Sequence, residues 1–391
     1  MDKTFYRPTW AEIDLDIISH NLMQFRKRIP EPVKLMAVVK ANGYGHGAVM
    51  IAREALESGA EYLGVATLDE GVELRRAGIK APILILGYTP LEAAEAVVKW
   101  GLTQTVFSIA MLEGLDQAAR RYNMKAKVHL KIDTGMGRIG LRTNDQIFEF
   151  INELSCCPNV ELEGLFTHHA CADESDKSFA NLQQTRLQEV LMILAEEGLE
   201  IPLIHAGNSA VAIDHPSWAY NIVRIGISLY GFYPSPEVDH TVVDLKSALT
   251  LKSRIAMVKE VEAGCPISYG GTYQAKTKEK IATVPIGYGD GYSRLLSNQA
   301  RALVKGREVP IVGRVCMDQI MLNVTDIPEA IEVGDEVVLY GQQDGGNISI
   351  DRVAAWMKTI NYEVVCMISR RVPRVYLKGG RIIHAENYLN F

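Results

Sequence analysis

The feature that narrows the fold most is a repeat of eight short apolar runs: KLMAVVK (34–40), YLGVAT (62–67), PILILG (82–87), LTQTVFS (102–108), AKVHLKID (126–133), ELEGLFTH (161–168), PLIHAG (202–207) and NIVRIG (221–226). Each has the length and bounding turn signals of a strand. Between them lie segments with helical spacing, among them GAVMIAREALESG, LEAAEAVVKWG, AMLEGLDQAARRYN, DQIFEFINELS and SFANLQQTRLQEVLMILAEEG. Several end in the Gly or Asn expected just past a helix. Eight such units predict an α/β fold, a (β/α)8 TIM-type barrel over residues 1–243, in which the strand ends and following loops converge on one mouth.

The texture changes after residue 243. LTLKSRIAMVKEVEAG, KIATVPIGYGDGY, RALVKGREVPIVGRV, DQIMLNVT, GDEVVLYG and RVPRVYLKGG alternate β-branched residues with turn glycines and prolines, and only ISIDRVAAWMKT reads as helical. A mostly antiparallel β-domain is expected over 244–391, joined through PSPEVDHTVVD, which has the composition of a link. A chain of 391 residues accommodates both parts.

Composition excludes several partners. With 41 Lys+Arg against 47 Asp+Glu, a net charge of -6 and no basic block, nothing tracks a phosphodiester backbone, so no nucleic acid is expected. MDKTFYRPTWAEIDL lacks the charged and apolar regions of a secretory leader, and no run of about 18 apolar residues occurs. A cytoplasmic chain without a membrane partner is expected. The six cysteines, at 156, 157, 171, 265, 316 and 366, have no C-x-x-C spacing, and the histidines at 168–169, 205 and 215 lack metal-binding spacing, so no metal is expected.

Reading the strand ends collects Lys40 and Tyr44 after the first strand, Lys131, Asp133 and Arg138 around the fifth, and His168 at the sixth. His205, Asn208 and Ser209 follow the seventh, and Arg224 and Gly226 close the eighth. Singly, each has a plain alternative as a solvated charge or a structural partner; their convergence on one mouth favours a site. HAGNSA and RIGISLYG occupy the loops where barrels commonly hold phosphate. A phosphate anchor facing a strand-end lysine suits pyridoxal phosphate, whose aldehyde would form a Schiff base with Lys40. NGYGHG lacks the full dinucleotide fingerprint and its acidic partner, so a nicotinamide cofactor is not expected.

These residues resemble a family. AVVKANGYGHG is similar to the cofactor-lysine signature of alanine racemases, built from a (β/α)8 barrel and a β-domain. The resemblance continues through VHLKIDTGMGRIG (128–140), LEGLFTHHACAD (162–173), HAGNSA (205–210), VRIGISLYG (223–231), ISYGGTY (267–273), IGYGDGY (286–292), GRVCMDQIMLNVT (313–325), INYEV (360–364) and SRRVPRVY (369–376). It implies that Lys40 is the Schiff-base lysine and Tyr269 the second catalytic residue. Tyr44, Ser209, Gly226 and Tyr362 would hold the phosphate, and Arg224 would face the pyridine nitrogen. Arg138 would meet the phenolic oxygen and the substrate carboxylate, which the Met317 N–H would also meet, and His168 would support the tyrosine or the ring. The resemblance also implies a homodimer in which Tyr269, Met317 and Asp318 come from the other subunit, and a carbamylated lysine at Lys131.

The residue types suit such a reaction. Racemisation removes the α-proton from one face and returns one to the other, so two groups on opposite faces, Lys40 and Tyr269, serve better than one. An arginine at the pyridine nitrogen donates and keeps its own proton, which leaves the ring a weak electron sink, whereas related decarboxylases are expected to place an acid there. Arg138 could instead pair with Asp133 or Glu163, and Lys131 with Asp133 or a glutamate. The leading expectation is interconversion of L- and D-alanine, supplying D-alanine for peptidoglycan. The alternatives are a serine or broad-specificity racemase and a non-catalytic pyridoxal-phosphate carrier; the β-domain bearing ISYGG and VCMDQ disfavours the carrier.

Overall fold

The computed structural model describes residues 5–389 and divides into two compact units. One comprises residues 18–43 and 48–246; the other comprises the described residues through Ile17, residues 44–47 and the chain from 247 onward.

The first unit is the expected barrel. Its eight strands are Lys34–Val38, Tyr62–Val65, Ile83–Ile85, Thr103–Val106, Ala126–Lys131, Val160–Phe166, Leu203–His205 and Ile222–Ile225. They pair in parallel in the order seventh to first and then eighth, a nearly closed sheet. The seam between the seventh and eighth strands is bridged by Asn221 N–H donating to Ile204 O (3.0 Å) and Arg224 N–H donating to Gly207 O (3.0 Å). Gly207 permits that approach, since a Cβ there would lie 2.9 Å from Val223 Cγ2.

Part of the barrel core is apolar, built from Met36, Tyr62, Leu84, Leu203 and Ile222 with Leu86 against them. Burying each such side chain contributes about 1.5–3 kcal/mol. Covering helices include Ala48–Glu57, Ile109–Tyr122, Asn144–Ser155 and Ser178–Glu196. A further helix, Leu68–Arg76, begins with a capping box between Thr67 and Glu70 and is legible in the TLDE spacing. Glu70 also accepts from Ala41 N–H (2.7 Å) and so steadies the chain just past the first strand.

In the second unit the strand Thr9–Asp14 lies inside an eight-stranded sheet, antiparallel to Leu249–Arg254 and parallel to Arg374–Lys378. Its alternating burial, with Thr9, Ala11 and Ile13 inward, explains why the N-terminal residues pack with the C-terminal part of the chain. A three-stranded antiparallel sheet (Met257–Val261, Glu279–Val284, Ile320–Asn323) and a two-residue ribbon, Pro266–Ile267 with Tyr273–Gln274, complete the β-structure. Arg374, almost wholly buried, donates to the carbonyls of Gly45, Ser369, Val372 and Ile368. It thereby holds residues 44–47 in this unit.

Within the barrel unit, buried Asn21 donates to Leu229 O (3.1 Å) and Lys246 O (2.9 Å) and accepts from Lys246 N–H (2.9 Å). Asn21→Ala leaves these backbone groups without partners, so a loss of about 2–4 kcal/mol is expected. Denaturant titration checks it, and a change below about 0.5 kcal/mol would show that the clasp is dispensable.

Candidate active site

The strand ends of the barrel bring together Lys40, Lys131, Arg138, His168, Ser209, Arg224 and Gly226. Lys40 stands two residues beyond the first strand and opens a turn with positive φ throughout: Ala41 (51°), Asn42 (53°), Gly43 (60°), Tyr44 (48°) and Gly45 (82°). Left-handed backbone costs a non-glycine residue roughly 1–2 kcal/mol. Local bonds offset part of that cost: Gly43 N–H donates to Val39 O (2.8 Å) and Ala48 N–H to Asn42 Oδ1 (3.0 Å).

Arg224 is 4% exposed, and its terminal nitrogens are fully engaged. Nη1 donates to His205 Nδ1 (2.8 Å) and His205 O (3.3 Å); Nη2 donates to Thr167 O, His168 Nδ1 and Ala206 O (each 3.1 Å). No carboxylate pairs with it among the described residues, and burial lowers its guanidinium to about 9, still cationic at neutral pH. Nε–H makes no hydrogen bond among the described residues, so it is the donor left for a ligand.

Because Arg224 only donates, His168 Nδ1 accepts, and a neutral His168 carries its proton on Nε2. Burial, followed by the charges of Arg224, Arg138, Lys131 and Lys40, keeps that imidazole neutral well below the usual 6.5. Burial likewise pulls the Lys131 ammonium down to about 7, Arg224 and Arg138 adding to the effect and Asp133 opposing it. Lys131 donates to Ile132 O (2.9 Å), and its Nζ lies 4.9 Å from the centre of the Phe166 ring. The alternative partners for Arg138 and Lys131 are otherwise engaged: Asp133 takes Gly135 and Gly137 N–H and faces Arg142, while Glu163 takes Lys127. The mouth is therefore electropositive, as an anionic cofactor requires.

At the seam, Ser209 Oγ accepts from Gly226 N–H (3.0 Å), which leaves the serine proton to donate elsewhere. Asn208 caps the following turn through Val211 N–H (3.1 Å). An anchored hydroxyl, a buried guanidinium with one open donor and a strand-end amine match the phosphate, ring nitrogen and aldehyde of pyridoxal phosphate.

The second unit carries the remaining candidates. The rings of Tyr44 and Tyr362 lie 6.2 Å apart. Tyr269 follows Ser268, whose φ of 64° and ψ of -175° fall in a region open essentially to glycine. Ser268 is held there by donation to Arg314 O (2.6 Å), which fixes how the exposed Tyr269 leaves the surface. Met317 is also exposed, and its N–H makes no hydrogen bond among the described residues. Asp318 is paired with Arg371 (2.6 Å).

Residues 13–234 match the model of the alanine racemase N-terminal domain, and residues 248–376 that of the alanine racemase C-terminal domain. The chain belongs to the alanine racemase family. It is 48% identical over 383 residues to an alanine racemase of Clostridium perfringens, covering 98% of this chain and 99% of that one. It superposes on the alanine racemase of Clostridium difficile 630 with a TM-score of 0.95 and 44% identity, covering 99% of this chain and 100% of that one. A second solved relative, the alanine racemase of Bacillus anthracis with bound L-Ala-P, gives 0.92 at 42% identity, covering 99% of each chain. The alanine racemase fold is thus present over nearly the whole chain.

The strand ends give no sign of His129, and none of Glu163 beyond a possible partner of Arg138; both lie deeper in the barrel than the strand ends and connect to Arg224 through His205. The signal available was the alternation of Lys127, His129 and Lys131 in AKVHLKID, polar at every second position of a core strand.

Burial leads the downward shift at His129, His168, His169 and His205, and His169 falls to about 4. The unfolded chain takes up these protons first as pH falls through 6.5. Below that value the rings should therefore lower stability by up to about 1.4 kcal/mol per pH unit each, adding to the decline that Lys131, lowered to about 7, already gives from higher pH. Thermal unfolding followed from pH 7.5 to 5 checks the sign; an unchanged midpoint would show that the rings are protonated in the folded state.

Proposed function

We propose that the barrel holds pyridoxal phosphate between Lys40 and the Ser209–Gly226 seam, and that the chain racemises alanine with Lys40 and Tyr269 as its two proton carriers. The chain is an isomerase of the alanine racemase family, pyridoxal-phosphate-dependent, interconverting L- and D-alanine. The observation that carries the site assignment is Arg224, a buried cation without a carboxylate whose Nε–H is the donor left for a ligand.

Bound pyridoxal phosphate supplies an aldehyde carbon for the substrate amine and a ring that draws electrons from the Cα–H bond. Lys40 Nζ takes or returns the α-proton on one face, and Tyr269 Oη of a second copy does so on the other. Arg224 Nε–H donates to the ring nitrogen and, keeping its own proton at neutral pH, leaves that nitrogen unprotonated. Ser209 O–H, its oxygen seated by the Gly226 N–H, and the hydroxyls of Tyr44 and Tyr362 hold the phosphate. Arg138, exposed and without an ion pair among the described residues, holds the phenolic oxygen and the substrate carboxylate, which the Met317 N–H of the second copy also meets. His168 Nε2–H supports the tyrosine or the ring.

The proposed working form is a homodimer, supported by the exposure of Tyr269 and Met317 on the C-terminal unit. Residues 1–243 then serve as the cofactor domain and 244–391 as the domain lending the second catalytic residue. Lys131, lowered to about 7, is close to half neutral at pH 7, the form that adds carbon dioxide to give a carbamate facing Arg138. No helix among the described residues is long and apolar enough to cross a membrane, and we place the enzyme in the cytoplasm, supplying D-alanine for peptidoglycan.

Incubation of the holoenzyme with L-alanine in D2O should give α-deuterated L-alanine and D-alanine together, with L-serine far slower. Absence of both deuteration and D-alanine would defeat the assignment. Tyr269→Phe should cut interconversion by ~10²–10⁴-fold while α-deuteration without inversion persists from one enantiomer; equal loss of both would argue for a structural tyrosine. With 13C-bicarbonate, a carbamate carbon resonance should appear in the wild type and vanish in Lys131→Met. Its persistence in the variant would place the carbamate elsewhere.

A further inference from the structure

Beneath the strand ends, a continuous line of polar side chains crosses the barrel interior. Arg224 Nη1 bonds His205 Nδ1 (2.8 Å), His205 Nε2 bonds His129 Nδ1 (2.8 Å), and His129 Nε2 bonds Glu163 Oε2 (3.3 Å). Glu163 ends the line, also accepting from Thr103 Oγ1 (3.3 Å) and Lys127 Nζ (2.6 Å). Both imidazoles are fully buried. The backbone is shaped around them: a Cβ at Gly164 would lie 2.7 Å from His129 Nδ1, and the pairing of the fifth and sixth strands shifts register between Val128 and His129. His205 lies flat against Phe166, with centroids 4.7 Å apart and planes 5° apart.

The direction of every bond in the line is fixed. Arginine has no acceptor, so His205 Nδ1 must accept; a neutral His205 then carries its proton on Nε2 and donates to His129 Nδ1. His129 in turn carries its proton on Nε2 and donates to the carboxylate. Burial favours the neutral form of both rings. At Glu163 burial alone would raise the carboxyl, but the bonds from His129 and Lys127 outweigh it and hold the group at about 2, an anion. Lys127 is half exposed at its side chain and does not need a buried partner.

Resting on the function proposed above, we propose that His129 and Glu163 are positioning residues that act through His205 to hold the Arg224 guanidinium, Arg224 and the Glu163 carboxylate fixing the ring tautomers from the two ends of the line. An amide at position 163 can keep its oxygen on Lys127 and turn its NH2 towards His129, and a donor facing Nε2 obliges His129 to carry its proton on Nδ1. A proton on His129 Nδ1 faces the proton of His205 Nε2; once that proton moves to Nδ1, it meets Arg224 N–H. Donor then opposes donor, and the guanidinium must shift away from its ligand.

The test is 15N NMR of holoenzyme labelled in its histidine rings, in the wild type, Glu163→Gln and Lys127→Met. In the wild type, His129 and His205 should show protonated Nε2 and bare Nδ1, with a nitrogen–nitrogen coupling across the His205–His129 bond; other tautomers or no coupling would overturn the proposal. Glu163→Gln should populate the Nδ1–H tautomer of His129, and Lys127→Met should leave both rings as in the wild type. If Lys127→Met reproduces Glu163→Gln, the carboxylate is only a lysine partner and the proposal fails. A functional readout accompanies these: pyruvate released per alanine racemised, which counts events where the amino group stays on the cofactor and water supplies the ketone oxygen. It should rise several-fold in Glu163→Gln and not in Lys127→Met; an unchanged ratio with altered tautomers would make the line purely structural. Failure of wild-type racemisation would instead strike the functional reading and leave the ring measurements as they stand.

Discussion

A guanidinium buried without a carboxylate is the interaction on which this barrel depends. Removing such a cation from water costs several kcal/mol, and the usual compensation is an anionic partner. Arg224 is held instead by the carbonyls of Thr167, His205 and Ala206 and by two imidazole nitrogens. Its charge is therefore not cancelled locally. The neighbouring groups adjust: His168 and His205 stay neutral, and Lys131 is drawn towards neutrality. Burial is the main cause of these shifts, and one charge on the eighth strand adds to it on the fifth, sixth and seventh.

That arrangement explains why one side of the barrel interior is polar while Met36, Tyr62, Leu84, Leu203 and Ile222 make an ordinary apolar core. A polar interior is tolerated only when each group is satisfied. The line from Arg224 to Glu163 meets that condition with the help of irregularities, the register shift at His129 and the missing side chain at Gly164. In the C-terminal unit, strain does comparable work. Ser268 occupies backbone space that costs about 1–3 kcal/mol, and its bond to Arg314 O holds it there ahead of Tyr269.

The barrel was legible because its strands are short, apolar and evenly spaced, and all eight runs form strands. Lys40, Lys131, His168, Ser209 and Arg224 were legible as polar residues interrupting apolar runs where strands end. Other features have no local signal. Thr9–Asp14 joins a sheet through partners more than 200 residues away, at Leu249–Arg254 and Arg374–Lys378, and sequence periodicity contains no pairing information. His129 was hidden, and Glu163 was visible only as a possible partner of Arg138, because both lie mid-strand, where a polar residue reads as facing solvent until closure of the sheet turns it inward. The left-handed turn after Lys40 was equally hidden, since Ala41 and Tyr44 give no sign of positive φ.

The central claim is that Arg224 remains the donor and leaves the cofactor ring without a proton on its nitrogen. Reconstitution with pyridoxal phosphate labelled with 15N in the ring, followed by 15N NMR of the holoenzyme, reads that nitrogen directly. The shift of an unprotonated pyridine accepting a hydrogen bond is expected, moving when Arg224 is replaced by lysine. A pyridinium shift in the wild type would contradict it.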